Sequence, residues 1–597
     1  MSSDLALLSC RESRSSDLNL AKLAELMGVG VVRFEVSEGQ AAEDLLCAAR
    51  TKGHRTLAAR SSTLAHLKHQ ARQSRCSAAG LLGAFEHAFI YGFEEIGQTD
   101  LAAWLTDRSL CRPTQLDGIT RKYSISASAR EVCGQLSGLS FPMDERARGF
   151  VSGGPDFLDN ASAGIITAQE RPCFAVASQG GCKIFLMAGS ELADLDAGTA
   201  PGDLLPQHYA GLLPPLMFLR YAFGELCWKN PAPRATLTLD DPLLRPRYGF
   251  LAFDRLIAEM EAHAFAATLA FIPWNYRRSS RDVTEMLRQH RDRFSICIHG
   301  CDHTGGEFVS GDETLLRNKA RTALRRVRQH EVTTGLECEP IMIFPQGGFS
   351  RAALSALKAE GFLAAVNTSV FPVDDPSVQY TIRDLLDVAV TRHDGFPVFG
   401  RRYPSPQSPL LFALDLFMGK PALVVEHHGY FRDGYAPVCE FVARMDALDP
   451  QLSWHPLGQS LVASALYKRT GPGAAEAKFY TDRFALENPY HEPMTFRISK
   501  NVGSADSLKR VLRDGLPCDY RVTAGRVEAE LELKADGRAL VEIIRAEGDA
   551  HSDVSSRFVY EAKVALRRRL SEFRDNHLAR SARLMAFSSK LARRMPV

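Results

Sequence analysis

Ala235-Thr236-Leu237-Thr238-Leu239-Asp240-Asp241-Pro242 is an apolar run that ends in two acids. Phe294-Ser295-Ile296-Cys297-Ile298 is a second such run, and it leads straight into His299-Gly300-Cys301-Asp302-His303. Buried strands of an α/β barrel expose side chains at their C-terminal ends, where catalytic groups collect. Two carboxylates and two imidazoles delivered by successive strand ends can hold a divalent metal beside a free base.

Around these two stretches, from about 232 to 470, strand-like and helix-like segments alternate regularly. Strands are expected at 235–240, 266–273, 294–299, 341–345, 362–367, 386–392 and 421–427. Amphipathic helices are expected at 248–263, 280–291, 314–333 and 350–360. Repeated βα units imply a mostly parallel sheet, here closed as a (β/α)7-type barrel. Leu423-Val424-Val425 is apolar throughout, as a strand buried on both faces should be.

The fold class is therefore α/β, with that central barrel flanked on both sides. Residues 1–215 read as a preceding α/β domain with no assignable chemistry. Its expected elements include helices at 18–27 and 41–50, strands at 29–36, 55–60, 88–93 and 174–177, and a hairpin turn at Gln179-Gly180-Gly181 into 183–188. His66 and His69, on a helix, read as a solvated face. Gly471-Pro472-Gly473 marks a boundary before a small β-rich module at 474–550, where Val527 to Lys534 alternate apolar and polar. Residues 556–597 read as a basic amphipathic helix. It carries Arg567, Arg568, Arg569, Arg580, Arg583, Arg593 and Arg594, with Phe558, Leu566, Leu570, Phe573, Leu584 and Leu591 as its apolar partners. Such a helix packs one face on the protein or rests on anionic lipid.

At 597 residues the chain is too long for a single core. Its formal net charge of +2 argues against a whole-molecule polyanion binder, and no nucleic-acid partner is expected. The 13 cysteines form no CxxC pair, which suits free thiols in a reducing compartment. Residues 1–10 lack a basic n-region, and the run 211–228 contains prolines, Arg220 and Glu225. Neither an export signal nor a membrane span is expected, and the expected address is cytoplasmic.

Two further strand ends join the first pair. Met342-Ile343-Phe344-Pro345-Gln346-Gly347-Gly348 closes in a Pro/Gly turn that offers backbone N–H groups, and Leu423-Val424-Val425-Glu426-His427-His428 ends in imidazoles. Trp274 and Tyr276, after the second strand, are candidates for stacking on a sugar ring. A rival reading takes Cys297, His299, Cys301 and His303 as a structural zinc set on one strand face, which leaves Asp241 without a role.

The order of these elements resembles the NodB-type polysaccharide deacetylases, carbohydrate esterase family four, over roughly 235 to 460. The resemblance implies Asp241, His299 and His303 as metal ligands, zinc as the usual ion, and Asp240 as the general base. It implies His427 as the general acid, with His428 competing for that role. It departs from the family in two places. Asp-Asp-Gly is Asp-Asp-Pro here, and the arginine that tethers the base just before the Pro turn is missing. Arg245, Arg392 or Arg401 could replace it, and Asp302 could support the metal from outside its ligand set or join that set as an additional ligand. The oxyanion of the tetrahedral intermediate would meet an N–H near Gln346 or Gly347. The implied activity is metal-dependent N-deacetylation of a glycan or glycan intermediate. The alternatives are an impaired barrel that binds or scaffolds glycans, and a metal amidohydrolase acting on a non-carbohydrate amide.

Overall fold

The computed structural model describes residues 4–579 apart from 11–13, 37–47, 50, 74–76, 94–98, 107–109, 117–121, 144–146, 153–163, 190, 201–204, 376, 378, 407, 505–507 and 547–557. Residues 41–47 and 50 of the helix expected at 41–50, and the basic residues from Arg580 onward, lie outside the described residues. The chain divides into two compact units: Met1–Lys229 with Tyr380–Leu386 and Tyr467–Ala475, and the remainder.

The first unit is built on a nine-stranded sheet. Its parallel half takes in Leu5–Ser9, Val31–Glu35, Thr56–Arg60, His87–Tyr91 and Cys182–Met187. Beyond that strand the sheet turns antiparallel through Arg171–Gln179, Gly164–Ala168, Lys122–Ile125 and Ser140–Pro142. Gly180 and Gly181, at φ +57° and +88°, make the hairpin turn expected at that point, because two successive residues there need left-handed backbone. Leu5–Ser9 is a central strand that sequence reading passed over, its five buried residues being too short a run to stand out at a chain terminus. His66 and His69 both lie exposed on the helix Ser61–Gln73.

In the second unit seven strands run parallel in one curled sheet. In chain order they are Arg234–Asp240, Ala267–Phe271, Phe294–His299, Cys338–Ile343, Ala364–Asn367, Val398–Gly400 and Ala422–His427. Spatially the last strand pairs with the first, and the others follow in sequence to the sixth. A single parallel bridge, Arg402 with Val424, joins the sixth strand's continuation to the seventh. Strand interiors such as Ala422 to Val425 are buried throughout, each large aliphatic contributing about 1.5–3 kcal/mol.

The sixth strand is not where the sequence put it. Residues 386–392 are apolar enough to suggest a strand, but Asp387 turns aside to bond Lys478 and Tyr480, and the chain reverses at Gly395, φ +71°. Val390 makes only an antiparallel bridge with Val398, and the ladder runs from Val398 to Gly400. The first helix also begins late, at Phe253, because Arg247–Tyr248 and Leu251–Ala252 form a small hairpin that presents Tyr248. The helix Glu313–Thr334 starts where Asp312 accepts from the Leu315 N–H and ends at Gly335 in the left-handed region.

After the barrel, Met494–Asn501 pairs antiparallel with Arg526–Leu533 over its whole length, and the latter alternates buried with exposed residues. A second sheet sets Arg538–Arg545 between Arg483–Glu487 and Leu508–Arg513. The terminal helix Phe558–Phe573 continues through a wide turn at Arg574–Leu578. Its orientation overturns the expected packing. Leu566, Leu570 and Phe573 are 60%, 60% and 54% exposed, while Val564, Arg568 and Asp575 are buried. The polar side faces inward because what it meets is the ring of charged loops at the barrel mouth, not an apolar core. Among the described residues no helix is long and apolar enough to cross a membrane.

Candidate metal centre

Asp240 and Asp241 leave the first strand's end in different directions. Asp240 continues the inward-facing series of Thr236 and Thr238, since alternate residues of a strand share a face. Asp241 follows at φ +73°, immediately ahead of Pro242. His303 and Gln346, at φ +58° and +57°, are likewise held in left-handed backbone, and strain of this kind gathers where function over-determines geometry.

Asp241 Oδ1 lies 2.9 Å from His303 Nε2 and 3.3 Å from His299 Nε2. The three side chains form a group that could hold a metal ion. The donor chemistry fits a cation. His299 Nδ1 lies 3.0 Å from the Ile343 carbonyl, and a proton there leaves the Nε2 lone pair turned toward the carboxylate. Asp241 Oδ1 is itself buried without a hydrogen bond. Electron pairs converging on one point are stabilised by a proton or by a metal. Burial disfavours charge on Asp241, yet the two imidazoles hold its carboxyl well below the usual range. Burial likewise works against His299, and the Asp240 and Asp241 carboxylates raise it in spite of that.

Asp240 is kept out of this group. Arg401, 4% exposed, grips both of its oxygens, with Nη1 to Oδ1 at 2.7 Å and Nη2 to Oδ2 at 2.6 Å, and Nη1 also reaches Thr238 Oγ1. Of the three arginines considered from sequence, Arg245 is exposed and Arg392 reaches the Gln379 carbonyl. Arg401 alone bonds Asp240, from just beyond the sixth strand. It was legible only as one of several candidates because the misplaced sixth strand hid its register.

His427 is the parallel-register partner of Asp240, so both project to the same side at the strand ends. Its ring stacks on Tyr403 at 6.0 Å. Burial lowers its pKa, against the pull of Asp240 and Asp241. Its neighbour Glu426 is pushed up to about 7 by burial. His428 turns elsewhere. Its Nε2 is 3.7 Å from Asp575, and its ring packs between Tyr248 and Phe250. A side chain at Gly249 would strike that ring, with a Cβ only 2.2 Å from Nδ1.

The loop bearing both ligand histidines is held by a residue that sequence reading did not single out. Glu307, 3% exposed, accepts the N–H groups of Cys301, Asp302 and His303 at 3.0, 2.8 and 3.1 Å. The only signal was an acid four places beyond His303. Glu307→Gln is expected to lower metal affinity by about 10–100-fold, as supports of this kind do, read by competition with a chelating dye.

Asp302 does not join the ligands. Arg326 takes one of its oxygens at 2.5 Å and Tyr560 the other at 2.8 Å. Cys301 Sγ also lies by Arg326, at 3.3 Å, so the group Cys301, Asp302 and Glu307 is satisfied from within the protein. The four-residue Cys/His set is not assembled, since its histidines meet at Asp241. Trp274 is half-buried under the Arg326 guanidinium, 4.9 Å from the ring centre, and Tyr276 lies by Arg277 in the same way. In the Pro turn, the Gly347 N–H is spent on the Phe344 carbonyl.

No family model matches the chain, and no curated protein matches it. Among solved structures it is similar to a family 4 carbohydrate esterase from Streptomyces lividans in complex with acetate, at 12% identity over 37% of this chain and 91% of that one, TM-score 0.24. It is also similar to a family 4 acetyl xylan esterase from Clostridium thermocellum in complex with cobalt, at 12% identity over 38% and 90%, TM-score 0.24. Likeness at this level establishes no family, and any functional reading has to stand on the site.

Proposed function

We propose that the chain is a metal-dependent deacetylase that hydrolyses the N-acetyl group of a sugar in a glycan or glycan intermediate. One observation carries this reading: Asp241, His299 and His303 converge on a point, while Arg401 holds the adjacent Asp240 apart from them. Two imidazoles and one carboxylate suit zinc and leave positions open. An ion held there would acidify a water and polarise the acyl oxygen.

The protein's own groups do the rest. Arg401 keeps Asp240 ionised and oriented, so that it can take the proton of the attacking water. The Gln346 N–H is the backbone donor for the developing oxyanion. An amide nitrogen leaves poorly unless protonated. His427, neutral at rest, delivers that proton after receiving it from the Asp240 side. Trp274 and Tyr276 are proposed to flank the sugar. The scaffold alternative drew its support from a missing arginine, and Arg401 removes that ground.

The test is acetate release from N-acetylated oligosaccharides by zinc-loaded protein, beside a panel of non-carbohydrate acetamides. Release from the sugars alone is the expected result. Release from the acetamides alone would turn the reading to the amidohydrolase alternative, and no release from either would end it.

The exposed Leu566, Leu570 and Phe573, beside the exposed Arg569, form the outer face of the terminal helix. We read this face as a contact with an anionic membrane surface, on the cytoplasmic side. Co-sedimentation with vesicles containing phosphatidylserine is expected for wild type. It should be lost in a Leu566→Ser, Leu570→Ser, Phe573→Ser variant, and sedimentation of both proteins alike would reject the contact.

A further inference from the structure

The inner face of the terminal helix carries a charge that the described residues leave unanswered. Arg568 is 3% exposed, its Nε is enclosed without a partner, and it makes no hydrogen bond or ion pair among the described residues. Its neighbours on that face are all committed. Glu572 is gripped by both terminal nitrogens of Arg278, and Asp575 bonds Tyr248 and Arg574 and lies beside His428.

These anchors fix where Arg568 lies. Tyr560 ties the helix to Asp302 after the third strand, Glu572 ties it to Arg278 after the second, and Asp575 and Asn576 tie it to Tyr248 and Gly249 after the first. Arg568 sits on the inward side between the first of these anchors and the others, one turn before Glu572. Its charge acts on the Tyr248 hydroxyl, which in turn lies in the field of Asp241. A buried arginine with no counter-ion costs several kcal/mol. The guanidinium fork matches a carboxylate or phosphate and binds either with two parallel hydrogen bonds.

We propose that Arg568 is the anion-recognising residue of this site, and that the acylated substrate carries an oxyanion, a phosphate ester or a carboxylate, near the amide presented to Asp240 and Asp241. The substrate part of this inference rests on the deacetylase reading; the anion subsite does not. The terminal helix thereby forms one wall of the binding site, and a neutral acetylated sugar leaves that wall's charge unmet.

Calorimetric titration of the metal-free full chain tests this without calling on activity. The probes are N-acetylglucosamine 1-phosphate, N-acetylmuramic acid and neutral N-acetylglucosamine, against wild type, Arg568→Gln and Arg568→Lys. At least one anionic probe is expected to bind wild type at least tenfold more tightly than the neutral sugar. Arg568→Gln should erase that preference, and Arg568→Lys should retain part of it. Which anionic probe wins separates a phosphate from a carboxylate substrate. Thermal melting guards against misfolding, since removing an unpaired charge should leave the midpoint at or above wild type. Equal binding of anionic and neutral probes, no binding of either anionic probe at millimolar concentration, or a preference that survives in Arg568→Gln would overturn the proposal. Arginine-dependent binding here, together with no acetate release from the zinc-loaded protein, would leave the subsite standing and remove the deacetylase reading alone.

Discussion

Arg401→Met is expected to lower the free energy of unfolding by about 3–5 kcal/mol and to remove acetate release. Methionine fills much of the same space, so the loss is chiefly that of a counter-ion. Asp240 is 3% exposed and surrenders both oxygens to Arg401, and without that partner it is a buried carboxylate that must stay charged at a cost or take up a proton. Either outcome disables it as a base. Pairing the change with Asp240→Asn removes the stranded charge, so the double variant should recover much of the stability and none of the activity. Urea unfolding of the two variants beside wild type provides the measurement. A single variant as stable as wild type would show that the pair contributes nothing net to the fold.

Asp241→Ala and His299→Ala are each expected to abolish stoichiometric zinc, as measured by elemental analysis after dialysis, while Asp240→Asn retains it. Three ligands leave no redundancy, and removing one takes away both a bond and the preset geometry of the other two. His303→Ala should behave like the first two. An ion that survives in all three ligand variants would mean it is held elsewhere in the chain. That result would take the metal chemistry away from this strand end.

The barrel was readable because its strands are apolar runs of even spacing, each followed by an amphipathic helix. The two strands that open and continue the metal site, Arg234–Asp240 and Phe294–His299, were placed to within a residue or two. Convergence of Asp241 with His299 and His303 followed from topology, since parallel strands of one curled sheet, here with Ala267–Phe271 between them, deliver their C-terminal residues to one rim. Contacts made against local preference were hidden. Val388 and Val390 look like strand residues, but the side chain of Asp387 and the reversal at Gly395 decide otherwise, and with them the position of Arg401. Glu307 acts through three backbone N–H groups, and no pattern of side chains advertises that. The terminal helix was legible as a helix but not in its rotation, because hydrophobic periodicity assumes that the covered face meets an apolar core.

That helix is translated after the barrel whose mouth it borders. Domains fold largely in the order they emerge, so the seven strands can assemble while the basin above Asp241 is still open. An ion arriving then would meet no terminal helix; in the finished protein Tyr560, Glu572 and Asp575 tie that helix to the loops that follow the first three strands. Loading during synthesis should accordingly be fast and extraction afterwards slow, and a chain ending at residue 546 should give up its ion to a chelator sooner than the full-length protein does.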